Sequence, residues 1–142
     1  MGAVRACSPS WATAADIPAI SEINLAAFDT PLEADLVDAL RADGSWTDGL
    51  SVVVAADPDG TLVGHALLTR CHIGDTPALC LAPVAVRRPE RQGSGAGSAA
   101  VRAALNAAEE FDVPDEALMV LSLDASRPLP RGTVRYAAPF GI

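Results

Sequence analysis

Arg87, Arg88 and Arg91 fall within five positions, and Gly93, Gly95 and Gly97 follow them at alternate residues. That combination is suited to holding an anion, and a phosphate above all. Glycines let the backbone approach a ligand closely, and a helix opening just behind them turns unpaired N–H groups and its positive dipole end to the same spot. The chain carries 18 acidic residues against 10 basic ones, so three arginines here are a local reversal of sign. An apolar run, Leu81 to Val86, leads into this segment, and a helical pattern from about Gly95 to Glu110 leaves it.

The rest of the chain limits what such a segment can serve. With 142 residues it makes one domain, large enough to bury a single core. Half of the residues are hydrophobic, yet no apolar run approaches a membrane span and the start lacks the pattern of a signal peptide. It therefore reads as soluble and cytoplasmic, with no membrane partner. A net charge of −8 argues against nucleic acid, which requires a broad basic surface, and would suit a cationic acceptor. Cys7, Cys71 and Cys80 form no CxxC pair, so neither a disulfide framework nor a metal site is expected, and they read as small buried fillers. Lysine is absent, which excludes a Walker A loop and a lysine Schiff base.

The elements that must position the glycine segment follow from periodicity and turn chemistry. Residues 3–8 read as a first short strand that Pro9 interrupts. TAAD from Thr13 resembles a capping box, with Ile17, Ile20, Ile23 and Ala27 behind it at roughly helical spacing. A second helix opens with Thr30 as cap, Pro31 at the first helical position and Glu33 closing the box; it is expected to bury Leu32, Leu36, Val37 and Leu40 and to end at Gly44. Leu50–Ala56 and Leu62–Arg70, joined by DPDG, predict an antiparallel hairpin. Gly74–Pro77 makes the next turn, and Ala78–Val86 is the strand leading into the glycines. The helix after them stacks Ala100, Val101, Ala104, Leu105 and Ala108 on one face. Beyond it, Leu118–Leu123 reads as a strand and Thr133–Tyr136 as a last short one. These parts make a layered α+β or α/β domain.

Three readings compete for the loop. It could simply connect a strand to a helix. Gly95, Gly97 and Ala100 also match the dinucleotide pattern G-x-G-x-x-A, but RRPERQGS separates Val86 from Gly95, and no second parallel strand ends in an acid about 20 residues on. The third reading takes the order of parts into account. Gln92-x-x-Gly95-x-Gly97 between a strand and a long helix resembles the acyl-CoA motif of the GNAT N-acetyltransferases, in their small bacterial branch. The ADIPAI and EADLVDALR helices, the VGHALL strand and LAPVAV before the arginines extend the likeness over most of residues 4–110.

The resemblance implies a mostly antiparallel, mixed central sheet flanked by helices, with the phosphate loop between a central strand and a long helix. It implies acetyl-CoA as co-substrate and direct attack of an amine on the thioester, with no covalent intermediate. The pyrophosphate would fall on Arg91, Gln92, Gly93, Ser94, Gly95, Ala96 and Gly97. Ala85 and Val86 would hydrogen-bond the pantetheine arm and acetyl carbonyl as an added strand would, polarising the carbonyl. Pro83 would splay the strand or sit at its edge. The acceptor is an amine on a small molecule or a protein, and sheet edges in so small a domain invite a homodimer. The rival is a non-catalytic domain of the same descent that binds acyl-CoA or a partner.

Relatives of this type carry another parallel strand and a tyrosine-bearing segment after the long helix, and the tyrosine is the usual proton donor to the departing thiolate. Here AALNAAEE runs straight into FDVPDEALMVLSLD and GTVRYAAPFGI, so a segment is expected to be lacking between Glu110 and Phe111. Either the protein has lost it, or it belongs to the protein and is missing from the sequence; the cost of leaving a central strand unpaired favours the second. No side chain stands out as catalytic. Tyr136, the only tyrosine, reads as an interface residue, and His65 and His72 as structural residues rather than bases, although His72 could reach a neighbouring cleft. Glu90 reads as a solvated turn residue, and Asp29, Glu33 and Asp35 as helix-start acids that would favour a cationic acceptor if they faced the cleft.

Overall fold

The computed structural model describes residues 7–56, 60–87, 96–110, 117–118, 121–122 and 134–141. Strand β1 (Cys7–Trp11) is followed by a 3₁₀ turn at Ala14–Asp16, helix α1 (Ile17–Ala27) and helix α2 (Leu32–Arg41). Strands β2 (Ser51–Ala56), β3 (Thr61–Ile73) and β4 (Thr76–Val86) lead to helix α3 (Ala96–Glu110). Three two-residue strands, β5 (Ala117–Leu118), β6 (Leu121–Ser122) and β7 (Val134–Arg135), precede a closing 3₁₀ turn at Ala138–Phe140.

The main sheet runs in the order β1-β2-β3-β4, with β7 laddered to the far end of β3, and every described ladder is antiparallel. Valine-rich β2 packs both faces. Val52, Val54, Val63, Ala66, Leu68 and Leu79 bury one face of the sheet against Ala100, Ala104 and Ala107 of α3. Small residues at those helix positions let its backbone lie close to the strands. The opposite face carries Val53 and Leu67 under Ile20, Val37 and Leu40 of α1 and α2. Gly60 and Gly74, each with positive φ, turn the chain at the two hairpins where other residues would be strained.

Several expectations need correction. The first strand does not stop at Pro9 but runs through it to Trp11, because β1 is an edge strand on which a missing N–H costs little. Leu32 is 68% exposed rather than buried. Its position is about 140° around the helix from Val37, at about 100° per residue, so the buried face falls on Ala34, Val37 and Leu40, and Leu36 is half-buried. Pro31 lies just before α2, whose last residue is Arg41, three before Gly44. The run Leu118–Leu123 is not one strand: Leu118 pairs with Leu121, so the chain folds back on itself without adding to the main sheet. Met119 and Val120, between the paired leucines, are not turn residues, which is why the reversal is silent in the sequence. The expected break after Glu110 falls at Phe111, outside the described residues.

Candidate functional site

The end of β4 and the start of α3 meet. A Cβ added to Gly97 would stand 3.3 Å from Cγ2 of Val86, so a glycine at this position lets the helix start sit directly on the strand end. Arg88, Glu90, Arg91, Gln92, Gly93, Ser94 and Gly95, in the segment joining them, lie outside the described residues. Ala96 and Gly97 open α3.

The ladder decides which backbone groups are free at this point. Arg87 N–H donates to the Val63 carbonyl at 2.8 Å, which makes Gly64 and Val86 a non-hydrogen-bonded pair. Alternation then commits the N–H and C=O of Ala85 to His65 and turns those of Val86 away from β3. Among the described residues no strand is laddered to that outer edge of β4. Upstream, the register slips between Ala66 and Leu68, with Val84 opposite Ala66 and Leu81 opposite Leu68. Ala82 and Pro83 together stand opposite the single residue Leu67, so the proline sits in a bulge that bends the strand just before its end.

On the other face of this strand end, Ala85 packs with Ile23, Ala27 and Phe28 of the α1 region. Asp29, the next residue, is exposed, as is Asp35, and Glu33 is half-buried on α2. Arg87 lies 3.6 Å from Glu22 of α1, and its Nε is buried without a hydrogen-bond partner. Sequence reasoning missed Glu22, because an exposed acid on a helix carries no signal until the register brings Arg87 beside it.

His65 is fully buried beside Ala85 in the register, as a structural histidine should be. Its Nδ1 is 3.3 Å from Asn24 Nδ2, which also donates to the Ile20 carbonyl at 2.9 Å. Since that amide nitrogen is a donor, Nδ1 accepts, and Nε2–H donates to Ser51 Oγ at 3.2 Å. Burial, and secondarily the Arg41 charge, push the ring down to a pKa of about 4, so it is neutral and holds three elements together. Asn24 was also missed, although a polar residue on the apolar face of α1 is a legible sign of a buried partner.

Tyr136 and His72 lie elsewhere. β7 pairs Arg135 with His72, which in turn faces Pro77 at the start of β4. Gly64, the partner of Val86, is eight residues from His72 along β3, about 26 Å at 3.3 Å per residue. The Tyr136 ring rests on Phe140 at 5.6 Å, and His72 is exposed, so neither reaches the strand end. Cys71 and Cys80 are buried free thiols near Phe140, pushed above their ordinary pKa by burial, Cys80 to about 11. That fits their expected part as fillers. Among the described residues no group of side chains could hold a metal ion, and no helix is long and apolar enough to cross a membrane.

A strand end whose Val86 backbone groups turn away from β3, pressed onto a helix start behind a bulge, agrees with the acetyltransferase (GNAT) family model, which matches residues 17–129. The chain belongs to that family. A GNAT family acetyltransferase from Brucella melitensis, solved with acetyl-CoA, superposes with a TM-score of 0.76 at 25% identity, covering 95% of this chain and 98% of that one. The GNAT family N-acetyltransferase YhbS from Escherichia coli, solved with CoA, gives 0.67 at 26% identity. That match covers 80% of this chain, which spans 61% of YhbS. A histone acetyltransferase-related protein from Corynebacterium glutamicum, at 20% identity and a TM-score of 0.55, shares the fold. No curated protein matches the sequence significantly.

Proposed function

We propose that the protein is an acetyl-CoA-dependent N-acetyltransferase in which an amine attacks the thioester directly. The observation that carries this reading is the outward-facing N–H and C=O of Val86 at an unladdered strand edge, adjoining the start of α3. A pantetheine arm can pair with such an edge as a further strand would, and the Val86 N–H can polarise an acetyl carbonyl lying against it. Ala85, whose groups are committed to β3, contributes the wall between this edge and α1. The pyrophosphate is assigned to Arg91, Gln92, Gly93, Ser94, Gly95, Ala96 and Gly97, where amides, the helix dipole and arginine charge would act together. Arg87, beside Glu22, adds a further cation at the mouth. Glu22 and Asp29, at the α1 side of the strand end, would draw a cationic amine towards it.

A second reading, acyl-CoA binding without turnover, is favoured by one observation. The only tyrosine follows Arg135 at the level of Cys71, seven β3 residues or roughly 23 Å from the partner of Val86, so it is not the proton donor to a departing thiolate. This reading goes with a true loss of the segment expected between Glu110 and Phe111. Titration calorimetry with acetyl-CoA, run beside a thiol-release assay over a panel of amines, separates the two. Binding with CoA release for at least one amine supports the transferase, binding without release for any amine supports the second reading, and no heat excludes both.

A further inference from the structure

A cleft of about 300 Å³ opens between the first turn of α1, the last turn of α2 and the start of β2, two strands away from Val86. Two strand spacings put it about 10 Å across the sheet from that edge, on the face opposite α3. Its volume lies at the small end of ligand sites. Arg41, Trp46, Asp48 and Ser51 supply the polar wall, and Ile17 and Ile20 part of the apolar one.

The polar groups are held in place by one another. The Arg41 guanidinium lies over the Trp46 ring, 5.4 Å from its centroid, and donates to Asp38 at 2.9 Å. Trp46 Nε1 donates to Asp48 Oδ1 at 3.2 Å. Ser51 is 96% buried at the cleft, with its hydroxyl tied to His65. A stacked guanidinium with further donors and a carboxylate with further acceptor capacity therefore face one small space. Charge selects among ligands. A simple anion would be drawn by Arg41 but repelled by Asp38 and Asp48, and a simple cation would meet Arg41 head on. A molecule with one group of each sign satisfies both walls.

We infer that this cleft binds a small zwitterion, a free α-amino acid, with its carboxylate on Arg41, its ammonium on Asp48 and its side chain against Trp46 and Ile17. The site is independent of the acyl-transfer reading, and its test contains no acyl-CoA.

The test uses Trp46 as reporter in a Trp11→Phe background, since Trp11 is the other tryptophan and is 63% exposed. The twenty common L-amino acids are titrated one by one while emission is followed. A saturable change with at least one of them is expected, weakened at least tenfold by Arg41→Gln and by Asp48→Asn, and likewise for the N-acetyl form of the same amino acid. Ala14→Phe, which fills the cleft from an exposed position and leaves both charges, should abolish it. Melting curves establish that each variant is folded, and Ala14→Phe decides where a charge variant is not. No saturable change with any amino acid, equal binding of the N-acetyl form, or binding that survives Ala14→Phe would overturn the assignment.

Discussion

His65 shows what one residue costs and contributes when it is sealed inside a sheet. Its ring is neutral because burial penalises the charged form, and Asn24 and Ser51 satisfy its two nitrogens in that state. An exposed histidine in the unfolded chain takes up a proton near pH 6.5, whereas the folded ring does so only at about 4. Between those values the unfolded state holds more protons, so stability is full above about pH 6.5 and falls as pH drops towards 4. The ~2.5-unit interval corresponds to ~3 kcal/mol at most. Urea unfolding at pH 7 and pH 4.5 should show this loss in the native protein and much less of it in His65→Gln. Equal pH dependence in both proteins would mean that the ring is reached by water. Asn24 Oδ1, buried without a partner, is a further strain on the same cluster.

At the scale of elements, the closing 3₁₀ turn holds two parts of the core together. Phe140 packs against the cluster of Ile20, Val37, Leu40 and Leu67 under the helices and against Cys71, Ala78 and Cys80 at the far end of the β3-β4 hairpin. Because the ring is only partly buried, Phe140→Ala should cost about 2 kcal/mol, below the usual range for a core phenylalanine. Chemical denaturation measures it, and a change under about 0.5 kcal/mol, the level of ordinary surface substitutions, would mean that the turn is ornamental. That tail contact was not legible in TVRYAAPFGI, whose apolar residues follow no period. β2, β3, β4 and α3 were legible, because apolar runs separated by the turn signals DPDG and Gly74 and an alanine stripe at helical spacing leave few alternatives. The site was legible only in part. The Gln92-x-x-Gly95-x-Gly97 spacing points to its chemistry, but which residue frees its backbone, Ala85 or Val86, depends on a pairing parity that needs the register. Trp46, Asp48 and Ser51 are neighbours in sequence, but only packing seats them with Arg41 against the start of α1, and no spacing announces it.

At the scale of the whole molecule, the decisive property is an arginine-rich segment on a chain of net charge −8. The acidic remainder repels the phosphates of a nucleotide in general, so under the proposed reading affinity would come from the arginines and backbone amides of residues 87–97 and from the β4 edge. Those two contributions can be separated by stability. A ligand at a hundred times its Kd adds about 2.7 kcal/mol to the folded state, which raises the Tm of a domain of this size by roughly 5–10 °C. Acetyl-CoA should produce that rise at low salt, and raising the salt should shrink it as the arginine contacts are screened. Acetyl-pantetheine, which offers the same arm to Val86 without the nucleotide, should give a much smaller and salt-insensitive shift at equal concentration. Equal shifts from the two compounds would assign the binding to the strand edge alone and remove the phosphate role from Arg91 to Gly97. No shift from either would leave the fold of an acetyltransferase without its co-substrate, and the function proposed for the strand end would fall with it.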